Sequence, residues 1–260
     1  MKIENYGNSE RCLGVMRLLL KDEAAGVLAE THAERIILLP IPTARDGVHI
    51  TGTDKLISEL LLDIQPTDFV VGYDIPLEDK CIIHAVGAEL LDVAEDSEFL
   101  DENAKISAIG ALSYILSLGP AAPMDTVYGI VGWGRIGSSL AQMLMYLGGE
   151  VRVYTSNNST RLTLSSYGID TVSYERHEGR LPDISGVNIL INTAPTPLSS
   201  SFPDGRIPDG LRVVELASGN NFSGISGILP LPSIPDRYYP RSAAICYYKA
   251  IMRALSQGGA

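Results

Sequence analysis

A buried-strand pattern, Val127-Tyr-Gly-Ile-Val131, runs directly into Gly132-x-Gly134-x-x-Gly137. A helix-like segment near Ile136–Leu147 follows, and then a second apolar strand near Val151–Tyr154. Strand, glycine turn, helix and parallel strand make one βαβ unit, and such units build doubly wound sheets. Each glycine has its own reason. Gly132 permits the tight turn, Gly134 lacks the Cβ that would keep the backbone away from a phosphate, and Gly137 lets the helix pack closely on the strand. Phosphates would lie on the helix N-terminus, where N–H groups and the helix dipole favour anions. The spacing therefore predicts a dinucleotide site on Gly132, Gly134, Arg135, Ile136 and Gly137.

The breaker cluster Leu118-Gly-Pro-Ala-Ala-Pro123 divides the chain. Before it, strands are expected at Arg35–Pro40, Asp68–Gly72 and Glu89–Val93. Helices are expected near Thr53–Leu62 and Pro76–Val86, and a long one over Asn103–Leu118. After it, the same reading places strands at Val127–Val131, Val151–Tyr154, Thr171–Val172, Val187–Ile191, Leu211–Leu216 and near Gly227–Leu229. A helix is expected near Thr160–Tyr167 and a last one over Pro240–Leu255. The expected architecture is α/β with two domains. Residues 1–122 form a flavodoxin-like or Rossmann-like substrate-side domain. Residues 123–239 form a Rossmann doubly wound parallel sheet. The long helix links them, and the final helix, 240–257, packs back on the first domain. Ligands in such sheets bind beyond the carboxyl ends of the strands, so the residues there are the candidates.

An NAD site normally has a carboxylate at the end of its second strand, bonded to the ribose 2′-hydroxyl. Here that strand runs into Thr155-Ser-Asn-Asn-Ser-Thr-Arg161, with no acid. A carboxylate would repel a 2′-phosphate, whereas Thr155, Ser156, Asn157 and Arg161 can bind one. The expected cofactor is thus NADP rather than NAD. Ser or Asn in such a loop can equally serve as a helix N-cap. Thr193-Ala-Pro195 and Ala217-Ser218, small residues after two later strands, are expected to form the flat wall beside the nicotinamide ribose.

Composition narrows the function further. A formal charge of −11 over 260 residues argues against non-specific nucleic-acid binding and against an anionic membrane surface. No apolar run is long enough to span a bilayer. The opening residues carry no apolar signal region, so a cytoplasmic location is expected. Cys12, Cys81 and Cys246 are scattered, and His32, His49, His84 and His177 form no cluster, so no metal is expected.

Motifs scattered along nearly the whole chain resemble the A chain of dipicolinate synthase, an oxidoreductase of spore-forming bacteria. They are Gly7-Asn-Ser-Glu-Arg11, Leu38-Leu-Pro-Ile-Pro-Thr43 with Asp46-Gly47, Gly132–Gly137, Ile191-Asn-Thr-Ala-Pro195, Glu215-Leu-Ala-Ser218, and Pro232-Ser-Ile-Pro235 with Pro240-Arg-Ser-Ala243. The nucleotide loop alone would equally suit 2-hydroxyacid dehydrogenases or adenosylhomocysteinase. The resemblance implies NADP-linked oxidation of a cyclic dihydrodipicolinate, a role in sporulation, and a second, flavoprotein-like subunit as partner. A homo-oligomer, a dimer, is also expected. Where that family has a glutamate opening its long helix, this chain has Ile109. The glycine-rich stretch after the Glu215 motif is shortened to Gly219-Asn-Asn221. Two rivals follow: a dehydrogenase or reductase for another small carboxylate, and a catalytically silent NADP-binding protein.

A dicarboxylate substrate in so acidic a protein needs local positive charge and hydrogen-bond donors. Thr43, Ser107, Arg241 and Ser242 are the candidate catalytic residues, with Arg45 and Lys105 as further cations. Arg241-Ser242 follow Pro240 at an expected helix start, which suits a carboxylate.

Overall fold

A computed structural model describes residues 1–29, 31–119 and 121–257. In chain order the elements are β1 (Lys2–Asn5), α1 (Glu10–Ala24), β2 (Arg35–Leu38), α2 (Ile57–Leu61), β3 (Asp68–Gly72), α3 (Leu77–Val86), β4 (Glu89–Asp92), α4 (Ser97–Leu118), β5 (Val127–Val131), α5 (Arg135–Tyr146), β6 (Glu150–Thr155), α6 (Asn158–Ser166), β7 (Asp170–Ser173), β8 (Ile189–Asn192), β9 (Arg212–Glu215), β10 (Leu229–Pro230), α7 (Ile234–Tyr238) and α8 (Pro240–Gln257). They fall into two compact units, Met1–Asn103 with Pro235–Ala260 and Ala104–Ile234. The division lies within α4, ahead of the breaker cluster at 118–123.

The first unit holds a four-stranded parallel sheet in the order β1-β2-β3-β4. This sequential order is that of a Rossmann half, not the switched order of flavodoxin-type sheets. β3 is buried throughout, as a near-continuous apolar run in a parallel sheet should be. Each such Val or Phe contributes roughly 1.5–3 kcal/mol when taken out of water. α1 and α8 pack on each other, and Gly14 makes this possible. A Cβ added there would lie 2.7 Å from that of Ala244. Cys12, Val15 and Leu19 of α1 and Ala243, Ala244, Tyr247, Ala250 and Ile251 of α8 are buried.

Several elements depart from the sequence reading, which places no helix at α1 or α7. β1 has one aliphatic residue, Ile3, and forms through its parallel register with β2, Ile3 opposite Ile36. α4 begins at Ser97 rather than at Asn103, because the Asp96 carboxylate accepts the Phe99 N–H and starts the helix one and a half turns earlier. α2 is shorter than 53–62, because Thr53 and Lys55 are used in a turn closed on Ile50.

The second unit holds a six-stranded parallel sheet in the order β10-β9-β8-β5-β6-β7. That is the Rossmann order, and the chain reverses direction of travel between neighbours β5 and β8. The carboxyl ends of those two strands therefore frame the crevice where such a sheet takes a ligand. Its core includes Val131, Tyr154, Leu190, Val213 and Phe222, all buried.

Candidate functional site

The glycine loop leaves β5 at Val131 and turns at Gly132, whose φ of +92° is a left-handed conformation natural to glycine. Gly132 N–H donates to the Tyr154 carbonyl, tying the turn to β6. A Cβ on Gly137 would lie 2.6 Å from the Gly132 carbonyl oxygen and 2.7 Å from Thr193 Oγ1, so only glycine lets α5 begin this close to the strand. A Cβ on Gly134 would meet nothing within 4 Å. Its lack of a side chain is thus not demanded by packing, and it leaves open the space in front of α5. Among the described residues no side chain caps α5, whereas Ser9 caps α1 and Asn157 caps α6. An uncapped helix N-terminus behind a side-chain-free turn is a cradle that fits a pyrophosphate. Arg135 is exposed at its rim and Ile136 is half-buried.

At the carboxyl end of β6 the residues divide by task. Thr155 is buried, and its Oγ1 accepts the Asn157 N–H at 3.2 Å. Asn157 Oδ1 accepts the Thr160 N–H at 3.0 Å and the Ser159 hydroxyl at 2.8 Å, so this side chain is a helix cap. Ser156 is exposed, and its Oγ accepts from Arg176 Nε at 2.9 Å. Arg161 donates from Nη2 to Asn158 Oδ1 at 2.7 Å, while its Nε is buried without a hydrogen-bond partner. Arg176 lies beyond β7, far from the fingerprint in sequence, and only the parallel pairing of β6 with β7 brings it to Ser156. A cleft of about 190 Å³ lies alongside, lined by Trp133 of the glycine loop and by Ser159, Thr160, Thr163 and Leu164.

The wall residues stand at the ends of adjacent strands. Thr193 donates its hydroxyl to the Val131 carbonyl at 2.8 Å, locking the β8 loop to the base of the glycine turn. Ala194 is buried and Pro195 exposed. Beyond β9, Ala217 is half-buried and Ser218 exposed. A wider hollow of about 500 Å³, lined by Ile184–Asn188 and Pro208–Leu211, sits at the amino ends of β8 and β9. That is the edge opposite the glycine loop.

The substrate-side candidates have separate environments. Thr43 is fully buried, and its hydroxyl accepts the Tyr73 N–H at 2.8 Å and donates to the Pro40 carbonyl at 3.3 Å. It clasps the chain beyond β2 to the end of β3. Ser107 is buried on α4, and Lys105 is exposed there. Arg241 and Ser242 are exposed in the first turn of α8. Arg45 lines a hollow of about 340 Å³ with Asp46, His49 and Thr51. Asp46 accepts the His49 and Val48 N–H groups and pairs with His49 Nδ1 at 2.7 Å. These bonds hold its carboxyl well below the ordinary range. Ile109, the departure from the resembled pattern, is an exposed apolar residue on α4. Among the described residues no cluster of His, Cys, Asp and Glu could hold a metal ion, and no helix is long and apolar enough to cross a membrane.

No protein-family model matches the chain, and no curated protein matches it in sequence. Solved structures do match. The dipicolinate synthase A chain of Bacillus subtilis is 17% identical over 99% of this chain and 96% of its own, with a TM-score of 0.75. The corresponding dipicolinate synthase protein of Bacillus halodurans is 19% identical over 85% of this chain and 79% of its own, with a TM-score of 0.67. D-Lactate dehydrogenase of Escherichia coli is 11% identical over 99% and 98%, with a TM-score of 0.58. The chain shares a Rossmann-type α/β fold with these proteins.

Proposed function

We propose that this chain is an NADP-dependent oxidoreductase acting on a small dicarboxylate of the dihydrodipicolinate type. The observation that carries the cofactor half is the pairing of a glycine cradle with a β6 end that offers Ser156, Arg161 and Arg176 and no acid. Gly132, Gly134, Ile136 and Gly137 hold the pyrophosphate on the α5 N-terminus. Ser156, with Arg161 and Arg176, takes the 2′-phosphate, and Thr193–Pro195 with Ala217–Ser218 flank the nicotinamide ribose. The cofactor supplies the hydride acceptor, and the protein supplies orientation and charge. Arg241 and Ser242, at the exposed start of α8, and Arg45, in its hollow, are the cationic or donor groups proposed for the substrate carboxylates. Thr43 is better read as a clasp than as a substrate ligand, since both sides of its hydroxyl are engaged.

Likeness in fold to two dipicolinate synthase proteins supports the substrate class, together with the motifs quoted above. A flavoprotein-like partner and a homodimer belong to the same proposal. Incubating the purified chain with enzymatically generated hydroxytetrahydrodipicolinate and NADP should yield NADPH and dipicolinate absorbance. NADP binding without turnover would favour the second reading, a silent cofactor-binding protein, which Ile109 in the glutamate's place supports.

A further inference from the structure

Asn192 and Glu215 are paired in register at the last positions of β8 and β9, and both side chains are buried. Asn192 Nδ2 donates to both carboxylate oxygens of Glu215, at 3.0 and 3.2 Å. Each partner then reaches the backbone two residues on: Asn192 Oδ1 accepts the Ala194 N–H at 3.1 Å, and Glu215 Oε1 accepts the Ala217 N–H at 2.8 Å. The Asn221 side chain also bonds Glu215, and the Asn221 carbonyl accepts the Leu198 N–H at 2.7 Å. One polar pair thus fixes where two neighbouring loops leave the sheet.

A carboxylate is an expensive way to do this. Burial pushes the Glu215 carboxyl above the ordinary range, although Asn192, Asn221 and the Ala217 N–H pull the other way. An apolar pair of similar volume would avoid the desolvation cost, and buried polar pairs are often no more stable than such replacements. What an apolar pair could not do is bond the Ala194 and Ala217 N–H groups and so set the two loops to one geometry. We propose that Asn192 and Glu215 are positioning residues that hold Thr193–Pro195 and Ala217–Ser218 in the spacing that receives the nicotinamide half of a dinucleotide. This inference rests on the dinucleotide reading above.

The test compares a whole dinucleotide with its adenosine half. Calorimetry with NADP and with 2′,5′-ADP is run on the unaltered chain, Glu215→Ala and Glu215→Gln, with thermal melts to establish that each variant is folded. Glu215→Ala should bind NADP at least tenfold more weakly and 2′,5′-ADP within twofold of the unaltered chain. Glu215→Gln keeps an acceptor for the Ala217 N–H and should recover most of the NADP affinity. Amide hydrogen exchange without ligand should quicken at Ala194 and Ala217 in Glu215→Ala alone. Equal loss of both ligands would make the pair a general support of the unit and overturn the proposal. Unchanged NADP affinity in a folded Glu215→Ala would overturn it too, while leaving the dinucleotide reading intact. If the unaltered chain binds neither ligand, the dinucleotide reading falls and the proposal with it.

Discussion

Gly134 and Gly137 stand three residues apart, yet a methyl group added at each meets opposite surroundings. At Gly137 it would collide with the Gly132 carbonyl and Thr193 Oγ1, and at Gly134 it would project into open space. Gly137→Ala should therefore destabilise the protein by about 1–3 kcal/mol, as overpacking does. Gly134→Ala should leave the melting temperature within a few degrees yet weaken NADP binding about tenfold or more. If Gly134→Ala binds NADP normally, the cradle is not where the phosphates lie. Arg176 is the other residue with a distinctive role. Arg176→Ala should weaken NADP binding about tenfold, a typical loss for one charge-assisted bond, and should leave NAD binding unchanged. Equal losses for both cofactors would remove Arg176 from the 2′-phosphate. The sequence hid this residue because nothing near Arg176 looks like a nucleotide motif. Asn157 and Thr43, by contrast, were visible as polar residues at strand ends, but the bonds their side chains make within the protein were not.

At the scale of elements, β3, β4 and α3 are tied through Asp92. Its carboxylate accepts the Asp74, Ile75 and Ala94 N–H groups and pairs with Lys80 Nζ at 2.7 Å. Burial alone would raise this carboxyl, but Lys80 and the three N–H groups outweigh it, so it lies below the ordinary value. A depressed folded value means stability that is present above about pH 4 and lost as pH falls through the folded value. Asp92→Asn should then cost about 2–3 kcal/mol at pH 7, since it leaves Lys80 without its buried partner. Denaturant melts should show the gap closing as the pH approaches 3, and a gap independent of pH would contradict this. Elements with a strong period or a continuous apolar run were legible in sequence, among them β3, β5, β8 and α8. β1 was not, because a four-residue edge strand with one aliphatic side chain carries no period. It exists through pairing with β2. The early start of α4 was missed because the Asp96 cap precedes the apolar stripe by ten residues.

For the whole molecule, the Rossmann order of the second sheet turns a local fingerprint into a located crevice. It brings the ends of β5, β6, β8 and β9 to one edge, and with them the candidate cofactor residues from four separate stretches of chain. That convergence was inferable from strand alternation. The substrate side was far less legible, because Arg45, Ser107, Arg241 and Ser242 follow no spacing rule and their environments depend on tertiary packing. A chain with a formal charge of −11 must also concentrate its few cations wherever it holds an anionic ligand, which makes the β6 end the decisive place. Titration calorimetry of the purified chain with NADP and with NAD at one ionic strength reads that place directly. NADP should bind at least tenfold more tightly than NAD, with the preference lost in Arg176→Ala. NAD binding as tightly as NADP, or more tightly, would contradict this.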